Sequence, residues 1–367
     1  MLQIILEQWI SNQVLSNYQQ NWLCQDMLNV FSDRPTPNRL YDDQLDRQNI
    51  GQFLEQRLNL LAAIYPEFQA CQRSLGITSN LLEPLWQIWL PLALKIASTR
   101  QKYDRPLIQG ILGGQGTGKT TLCKFLALIL KHLGHNCLSI SIDDLYKTYA
   151  DRQQLQQQDP RLIWRGPPGT HDLELGIALL DQLRAVNDLN PLSQKEQYIA
   201  VPQFDKTAFA GAGDRTEPLK INLNQTPIDI VLFEGWMVGV WPWPEADLAE
   251  VLRHDPPSPI ATTADVQFAL DMNRNLQAYL PLWQRLDSLI MLHLVDFNLS
   301  KQWRKEAEQK AIAAGKTGMG DREVEQFVNY FWRALHPDLF IKPLAQNPEI
   351  VDLVIEVGAN HLPIAVY

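Results

Sequence analysis

The feature that most constrains this chain is Gly113-Gly114-Gln115-Gly116-Thr117-Gly118-Lys119-Thr120, set between two stretches of different periodicity. Before it, Leu107 to Leu112 is a short apolar run of buried-strand length. After it, Leu122, Phe125, Leu126, Ile129, Leu130 and Leu133 are spaced 3, 1, 3, 1, 3, which is one face of a helix. A strand, a glycine-rich turn and a helix in that order fit the pattern GxxxxGK[ST]. Glycine admits backbone torsions that other residues resist, so successive N–H groups and the helix N-terminus can converge on an anion. In such a loop Lys119 reaches the β- and γ-phosphates of a nucleotide, and Thr120 places its hydroxyl on Mg²⁺. The candidate nucleotide contacts are therefore Gly113, Gly114, Gln115, Gly116, Thr117, Gly118, Lys119, Thr120 and Thr121, with ATP and Mg²⁺ as the implied cofactors.

The rest of the pattern extends this unit into a sheet. Cys137 to Ile142 reads as a second strand ending at Asp143–Asp144, and Ile228 to Phe233 as a third ending at Glu234–Gly235. Leu289 to Val295 reads as a fourth. Val351 to Val357 reads as a fifth, open to pairing with Leu362 to Val366 across Gly358–His361. Buried strands alternating with helices imply an α/β fold: a P-loop NTPase core with a five-stranded, mainly parallel sheet and helices on both faces. Residues 1–104 read as a helical N-terminal region. Ile50, Phe53, Leu54, Arg57, Leu58, Leu61 and Ala62 share one helical face, with Arg57 expected to snorkel. Leu82, Leu85, Trp86, Trp89 and Leu90 form a second apolar face, read as core, which Pro91 is expected to kink or end. Residues 105–367 are the phosphate-loop domain. Insertions interrupt it at about 145–227 and at 236–287.

Composition narrows the class. Hydrophobic residues make up 46% of the 367, enough for a sizeable core. Lys+Arg is 32 and Asp+Glu is 41, a net charge of −9, which argues against a broad nucleic-acid face but not against one small anion held by local cations. The four cysteines, Cys24, Cys71, Cys123 and Cys137, form no CxxC pair, so a reducing compartment is the natural reading. The opening MLQIILEQWI lacks a basic segment and is interrupted by Glu7, and Leu85 to Ala97 is too short to span a bilayer. A cytoplasmic protein without membrane or nucleic-acid partners is expected, as a monomer or weak homo-oligomer.

The acidic strand ends carry the chemistry. Ligands of open α/β sheets bind beyond the carboxyl ends of strands. A carboxylate at Asp143, facing the γ-phosphate, can orient an attacking hydroxyl or take its proton. Asp143 is also a metal candidate. Asp144 either points away or joins the acceptor contacts, and such a pair of acids is often only a helix cap. Glu234 holds the position of a Mg²⁺-binding acid, with Thr120.

Together with the loop, SIDDLYKT, RGPPGTHD, PQFDKTAFAGAGDR and LFEGWMVG resemble glycerate kinases of the plant and fungal type, the D-glycerate 3-kinases related to uridine kinase, pantothenate kinase and phosphoribulokinase. NRNLQAYLPLWQRLD, WRKEAEQK and GMGDREVEQFVNYF add to the likeness, which covers roughly residues 80 to 367. The resemblance implies that Asp143 is the base, that Glu234 lies near the metal, and that a phosphate lid occupies about 299–335. Arg304 in that lid is the choice to touch the transferring phosphate, an ordinary solvated helix being the alternative. Glycerate is a small anion with hydroxyls, which calls for cations, acids and histidine. Asp144, Tyr146, Arg165, His171, Asp172, Lys206 and Arg215 are the candidates to bind it, from the insertion and the strand end before it. Helix capping by Asp172 and a local Asp214–Arg215 ion pair are the competing structural roles.

The expectation is a kinase that transfers the γ-phosphate of ATP to the 3-hydroxyl of D-glycerate. The alternatives are a kinase of the same group acting on pantothenate, uridine or a sugar phosphate, and a non-enzymatic nucleotide-gated interaction protein. Convergence of Asp143, Lys206 and Arg215 on one cavity favours an enzyme, and their pointing to separate surfaces favours the switch. Lys119→Ala is expected to lower kcat by about two orders of magnitude or more with folding intact, the scale of one lost pre-organised electrostatic contact. Near-normal steady-state turnover would exclude Gly113–Thr120 as the catalytic phosphate loop.

Overall fold

The computed structural model describes residues 1–29, 40, 49–185, 197–313, 315 and 318–367; parts of the 1–104, 145–227 and 299–335 segments fall outside the described residues. Among the described residues there are eight strands: β1 Leu107–Gly113, β2 Cys137–Ser141, β3 Tyr198–Asp205, β4 Asp214–Asn222, β5 Ile230–Gly235, β6 Ser288–Leu294, β7 Leu353–Val357 and β8 Pro363–Val366. Six form one sheet in the order β2-β5-β1-β6-β7-β8. The first five are parallel and β8 pairs antiparallel with β7. The five parallel strands are those the apolar runs mark. The sixth strand is the optional C-terminal partner, which closes as an edge hairpin across Gly358–Leu362.

Both faces of the sheet are covered. Every residue of β1 and β5 is buried, as continuous apolar runs in parallel strands require. Alternation along β1 divides the core. Leu107 and Ile111 join one cluster with the helix Lys119–His132 and the N-terminal helices, while Ile108 and Leu112 join a second cluster on the other face. The described part of residues 1–104 contains helices and no strand. It is tied to the phosphate-loop unit by three rings: Phe68 lies 4.7 Å from Phe125 and 5.9 Å from Trp89, and Trp89 lies 5.0 Å from Phe125. The aromatic stripe of that region is therefore core.

Three local expectations are corrected. Pro91 does not end its helix. The backbone stays helical from Leu82 to Arg100 by widening into a π-turn at Leu85–Trp89, where the Leu90 N–H bonds Leu85 O. A wider turn makes room for a ring that would clash with the carbonyl four residues back. Arg57 does not snorkel to water. It is 1% exposed, with its guanidinium 4.1 Å from the centre of the Trp86 ring. The 145–227 insertion, read only as an interruption of the sheet, carries a separate antiparallel hairpin of its own, β3–β4. Ile199 and Val201 point inward between exposed Tyr198 and Ala200, an alternation that marks a strand. Pro202 obscures it in the sequence, and the register shifts at that position, between Val201 and Gln203.

Phe68→Ala is expected to lower unfolding free energy by about 3–5 kcal/mol, since it empties the ring cluster joining the N-terminal helices to the helix after the phosphate loop. Urea denaturation followed by far-UV dichroism measures it. A loss below about 1 kcal/mol would show that the N-terminal helices add nothing to a common core.

Candidate active site

The parallel register brings three strand ends to one edge. Ile111 pairs with Glu234 and Leu112 with Gly235 across β1–β5, while Ser141 pairs with Glu234 across β2–β5. The loop leaving β1 therefore emerges beside the carboxylate that ends β5 and the acids that follow β2. Gly113 is required by packing, since a Cβ there would lie 2.7 Å from Thr117 Oγ1 and 3.0 Å from Leu292 Cβ. Gly118, at φ 88°, turns the chain into the helix Lys119–His132 through a left-handed conformation.

At the start of this helix Lys119 folds back over the loop and donates to Gly114 O at 2.9 Å. Burial lowers its pKa, while the Glu234 and Asp143 carboxylates pull it upward. Thr120 Oγ1 donates to Glu234 Oε1 at 2.8 Å, and Glu234 is 8% exposed. A hydroxyl and a buried carboxylate are hard oxygen donors of the kind Mg²⁺ takes. Among the described residues no cluster of three or more His, Cys, Asp or Glu forms a complete metal cage. That fits an ion which keeps waters and phosphate oxygens in its shell. Thr120 and Glu234 are thus suited to hold Mg²⁺. Asp143, the third metal candidate, is engaged elsewhere.

The structure separates the two adjacent acids. Ser141 and Asp144 close a capping box around the 3₁₀ turn Ile142–Leu145, with the Ser141 N–H donating to Asp144 Oδ2 at 3.1 Å. Asp144, a candidate acceptor contact, is thereby turned to the backbone, and burial raises its pKa. Asp143 points the other way. Tyr146 OH donates to its Oδ1 at 2.8 Å, and Lys206 Nζ donates to its Oδ2 at 2.6 Å. Burial works to raise the Asp143 pKa, but the Lys206 ammonium and the Tyr146 hydroxyl outweigh it and hold the carboxyl below its usual range.

Around this pair the remaining insertion residues form one network. Arg215 Nε donates to Tyr146 O at 2.8 Å and Arg215 Nη2 to Asp172 Oδ2 at 2.8 Å. Asp172 also caps the helix Leu173–Arg184 through the Leu175 N–H. The capping role and the ion pair therefore coexist in one side chain. Asp214 accepts from the Tyr149 and Arg215 N–H groups. Arg165 donates to Gly211 O and Ala212 O at 2.7 and 2.8 Å. The Tyr146 ring stacks on His171 with centroids 4.6 Å apart. Asp143 thus bonds Lys206 directly and Tyr146 through its hydroxyl, while Arg215 reaches Tyr146 at its backbone carbonyl. Arg304 lies apart from this network, pairing with Glu308 at 2.6 Å one helical turn away and covering the Phe327 ring. Its neighbour Trp303 approaches the loop instead, packing against Gly116 and stacking on His361 at 3.8 Å.

Two contributors carry no local sequence signal. Arg152 donates to Ala212 O at 2.8 Å and to Gly213 O, sharing the hairpin end with Arg165. Tyr279, fully buried, accepts from the Gly169 N–H at 2.9 Å and meets His171 Nδ1 at 2.7 Å. Tyr279 lies within NRNLQAYLPLWQRLD, so the family resemblance was the only available pointer to it. A separate cavity of about 270 Å³ borders the loop at Gly114 and Gln115. Its walls are mostly apolar, with Trp236, Phe297, Phe331 and Trp332 among them, and none of Asp143, His171 or Lys206 lines it. Asp143, Lys206 and Arg215 do not meet in this cavity, and Asp143 follows β2, on the β2–β5 side of the loop.

The chain is similar to known proteins over much of its length. No protein-family model matches the chain. It is 28% identical over 356 residues to the chloroplastic D-glycerate 3-kinase of Arabidopsis thaliana, covering 92% of this chain and 72% of that protein. An uncharacterised kinase of Schizosaccharomyces pombe is 30% identical over 270 residues, covering 72% of this chain and 92% of that protein. Among solved structures, D-glycerate 3-kinase from Cryptococcus neoformans superposes with a TM-score of 0.64 at 28% identity, covering 75% of this chain and 96% of that one.

Burial depresses the His171 pKa to about 3, so the ring stays neutral in the folded state. The unfolded chain takes up this proton near pH 6.5, so folding stability falls as pH drops below that value and recovers as pH rises. The His171 share amounts to about 2 kcal/mol by pH 5, above the carboxylate range. Denaturant midpoints measured between pH 7 and pH 5 should slope downward, and His171→Gln should flatten that slope. An unchanged slope in the variant would mean that His171 is protonated in the folded protein.

Proposed function

The chain belongs to the D-glycerate 3-kinase type of P-loop kinases, and on that premise we propose that it transfers the γ-phosphate of ATP to the 3-hydroxyl of D-glycerate, giving 3-phosphoglycerate. Membership makes it an ATP-dependent phosphotransferase with an alcohol acceptor. The observation that carries the finer reading is a chain of contacts that joins an acid at a strand end to two cations: Asp143 bonds Lys206 and the Tyr146 hydroxyl, and the Tyr146 carbonyl accepts from Arg215. A hydroxy acid needs both: a base for its hydroxyl and cations for its carboxylate.

In this reading the loop amides and Lys119 hold the phosphates and meet the charge that grows in the transition state. Thr120 and Glu234 would hold Mg²⁺, which would neutralise phosphate charge when bound. Asp143 orients the acceptor hydroxyl and takes its proton. Lys206 and Arg215 face the acceptor carboxylate, with Arg165 behind them. His171 offers a neutral ring, and Asp172 accepts from an acceptor hydroxyl. Arg304 would have to leave Glu308 to reach the transferring phosphate. A cytoplasmic setting is part of the proposal, supported by four free cysteines and by the lack, among the described residues, of a helix long and apolar enough to cross a membrane.

Coupled ADP release measured across D-glycerate, L-glycerate, pantothenate and uridine tests the acceptor, with release expected to depend on D-glycerate. Dependence on pantothenate or uridine alone would move the chain to another acceptor within the same reaction class. Asp143→Asn should cut kcat, by up to the 10²–10⁴-fold that general-base help supplies, with ATP affinity within a few-fold of the parent. Asp144→Asn should do much less. The reverse ranking would assign the base to Asp144.

A further inference from the structure

Both oxygens of Asp143 are bonded within the chain itself, Oδ1 to Tyr146 OH and Oδ2 to Lys206 Nζ. The two partners differ in kind. Tyr146 is buried and fixed from several sides: its ring stacks on His171 and its carbonyl accepts from Arg215. Lys206 is the outer partner, its side chain 58% exposed against 27% for Asp143. It therefore stands between the carboxylate and the solvent.

The support beneath Lys206 is stiff. Lys206 directly follows β3, and the turn it opens contains two non-glycine residues at positive φ, Phe209 at 50° and Ala210 at 54°. Single L-residues adopt this region only when the surroundings hold them there. The surroundings here are identifiable. Phe209 stacks on Tyr149 at 4.1 Å with the rings nearly parallel. Arg165 and Arg152 bind the carbonyls of Gly211, Ala212 and Gly213. Asp205 ties the turn by accepting from Thr207 N and Oγ1. A lysine presented from such a turn is aimed, unlike a surface lysine on a free loop.

A phosphotransferase with an acid beside the γ-phosphate faces a competing reaction. Before an acceptor arrives, the hydroxyl nearest that acid belongs to water. In hydrolysis the water oxygen bonds to the γ-phosphorus, and the bond to the bridging oxygen breaks with its electron pair leaving on ADP. The water proton passes to the carboxylate and later to solvent. Transfer to an alcohol follows the same course with the acceptor oxygen in place of water. The acid cannot distinguish the two; something else must.

We propose that Lys206 is a latch on Asp143 that suppresses ATP hydrolysis until an anionic acceptor arrives, whose carboxylate draws the ammonium away and frees Asp143 for the acceptor hydroxyl. The proposal rests on the kinase reading above and adds to it a role for the Lys206–Asp143 pair. Lys206 thereby selects alcohols that bear a negative charge and rejects water, which offers the ammonium no exchange partner.

Acceptor-free ADP release by the full chain with ATP and Mg²⁺ is the test, because the latch predicts a gain where loss of a binding residue predicts none. Lys206→Met should raise acceptor-free release about tenfold or more, within the range a general base supplies, while D-glycerate-dependent kcat/KM falls. Lys206→Arg, which keeps a cation in reach, should retain most of the suppression. Lys206→Met combined with Asp143→Asn should lose the gain, showing that the released hydrolysis runs through Asp143. Acceptor-free release that stays level or falls in a folded Lys206→Met variant with parental ATP affinity would overturn the latch. A gain that survives Asp143→Asn would overturn it too. The kinase reading fails separately, by absence of acceptor-dependent release in the parent chain.

Discussion

The site depends on the register of one strand pair. β1 and β5 run parallel, with Ile111 opposite Glu234 and Leu112 opposite Gly235. The loop leaving β1 and the acid ending β5 therefore arrive at the same level. A slip of one residue would turn Glu234 to the opposite face of the sheet and break its bond from Thr120. Burial prevents the slip. Every residue of both strands is inside, and alternate residues of β1 belong to different halves of the core, so any shift would bring mismatched side chains to both faces.

Around that fixed edge the chain places two kinds of group. The phosphate loop, Thr120 and Glu234 come from the sheet and from the helix that follows β1. The cations come from elsewhere: Lys206 and Arg215 from the two ends of the β3–β4 turn, and Arg165 from the loop before His171. This division explains how a chain with a net charge of −9 builds a site for anions. The positive charge is local, and each cation is held by a named acceptor: Asp143, Asp172 or the carbonyls of the turn. Held cations keep their orientation, which favours a small, defined anion over an extended polyanion.

The N-terminal helices act at a distance from this chemistry. Phe68 and Trp89 pack on Phe125, in the helix that begins at Lys119. That helix carries the phosphate loop at its N-terminus, so its seating on the sheet is also the seating of the loop. Arg57, buried over Trp86, shows how tightly this layer is built. A cation is taken out of water there without any role in the reaction being visible.

The linear sequence determined what depends on neighbours along the chain. Five strands and the helix after the loop were legible from apolar runs and a 3.6-residue period, and the loop from glycine spacing and its flanks. The family likeness was legible because its motifs recur in order. The β3–β4 hairpin was not, because Pro202 and the glycines around its turn broke a true two-residue alternation. The different fates of Asp143 and Asp144 were also hidden: both follow the same strand, and the 3₁₀ turn decides which one caps and which one faces Lys206. Tyr279 reaches His171 from 108 positions away, and Arg152 reaches the hairpin from 61. Arg304 stands in a helix that marks it as a phosphate ligand by analogy, yet a carboxylate one turn along holds it. Periodicity and motif spacing report local geometry, which the backbone imposes on every chain of that pattern. Which long side chain meets which partner is set by packing across elements, and there only the tertiary structure decides.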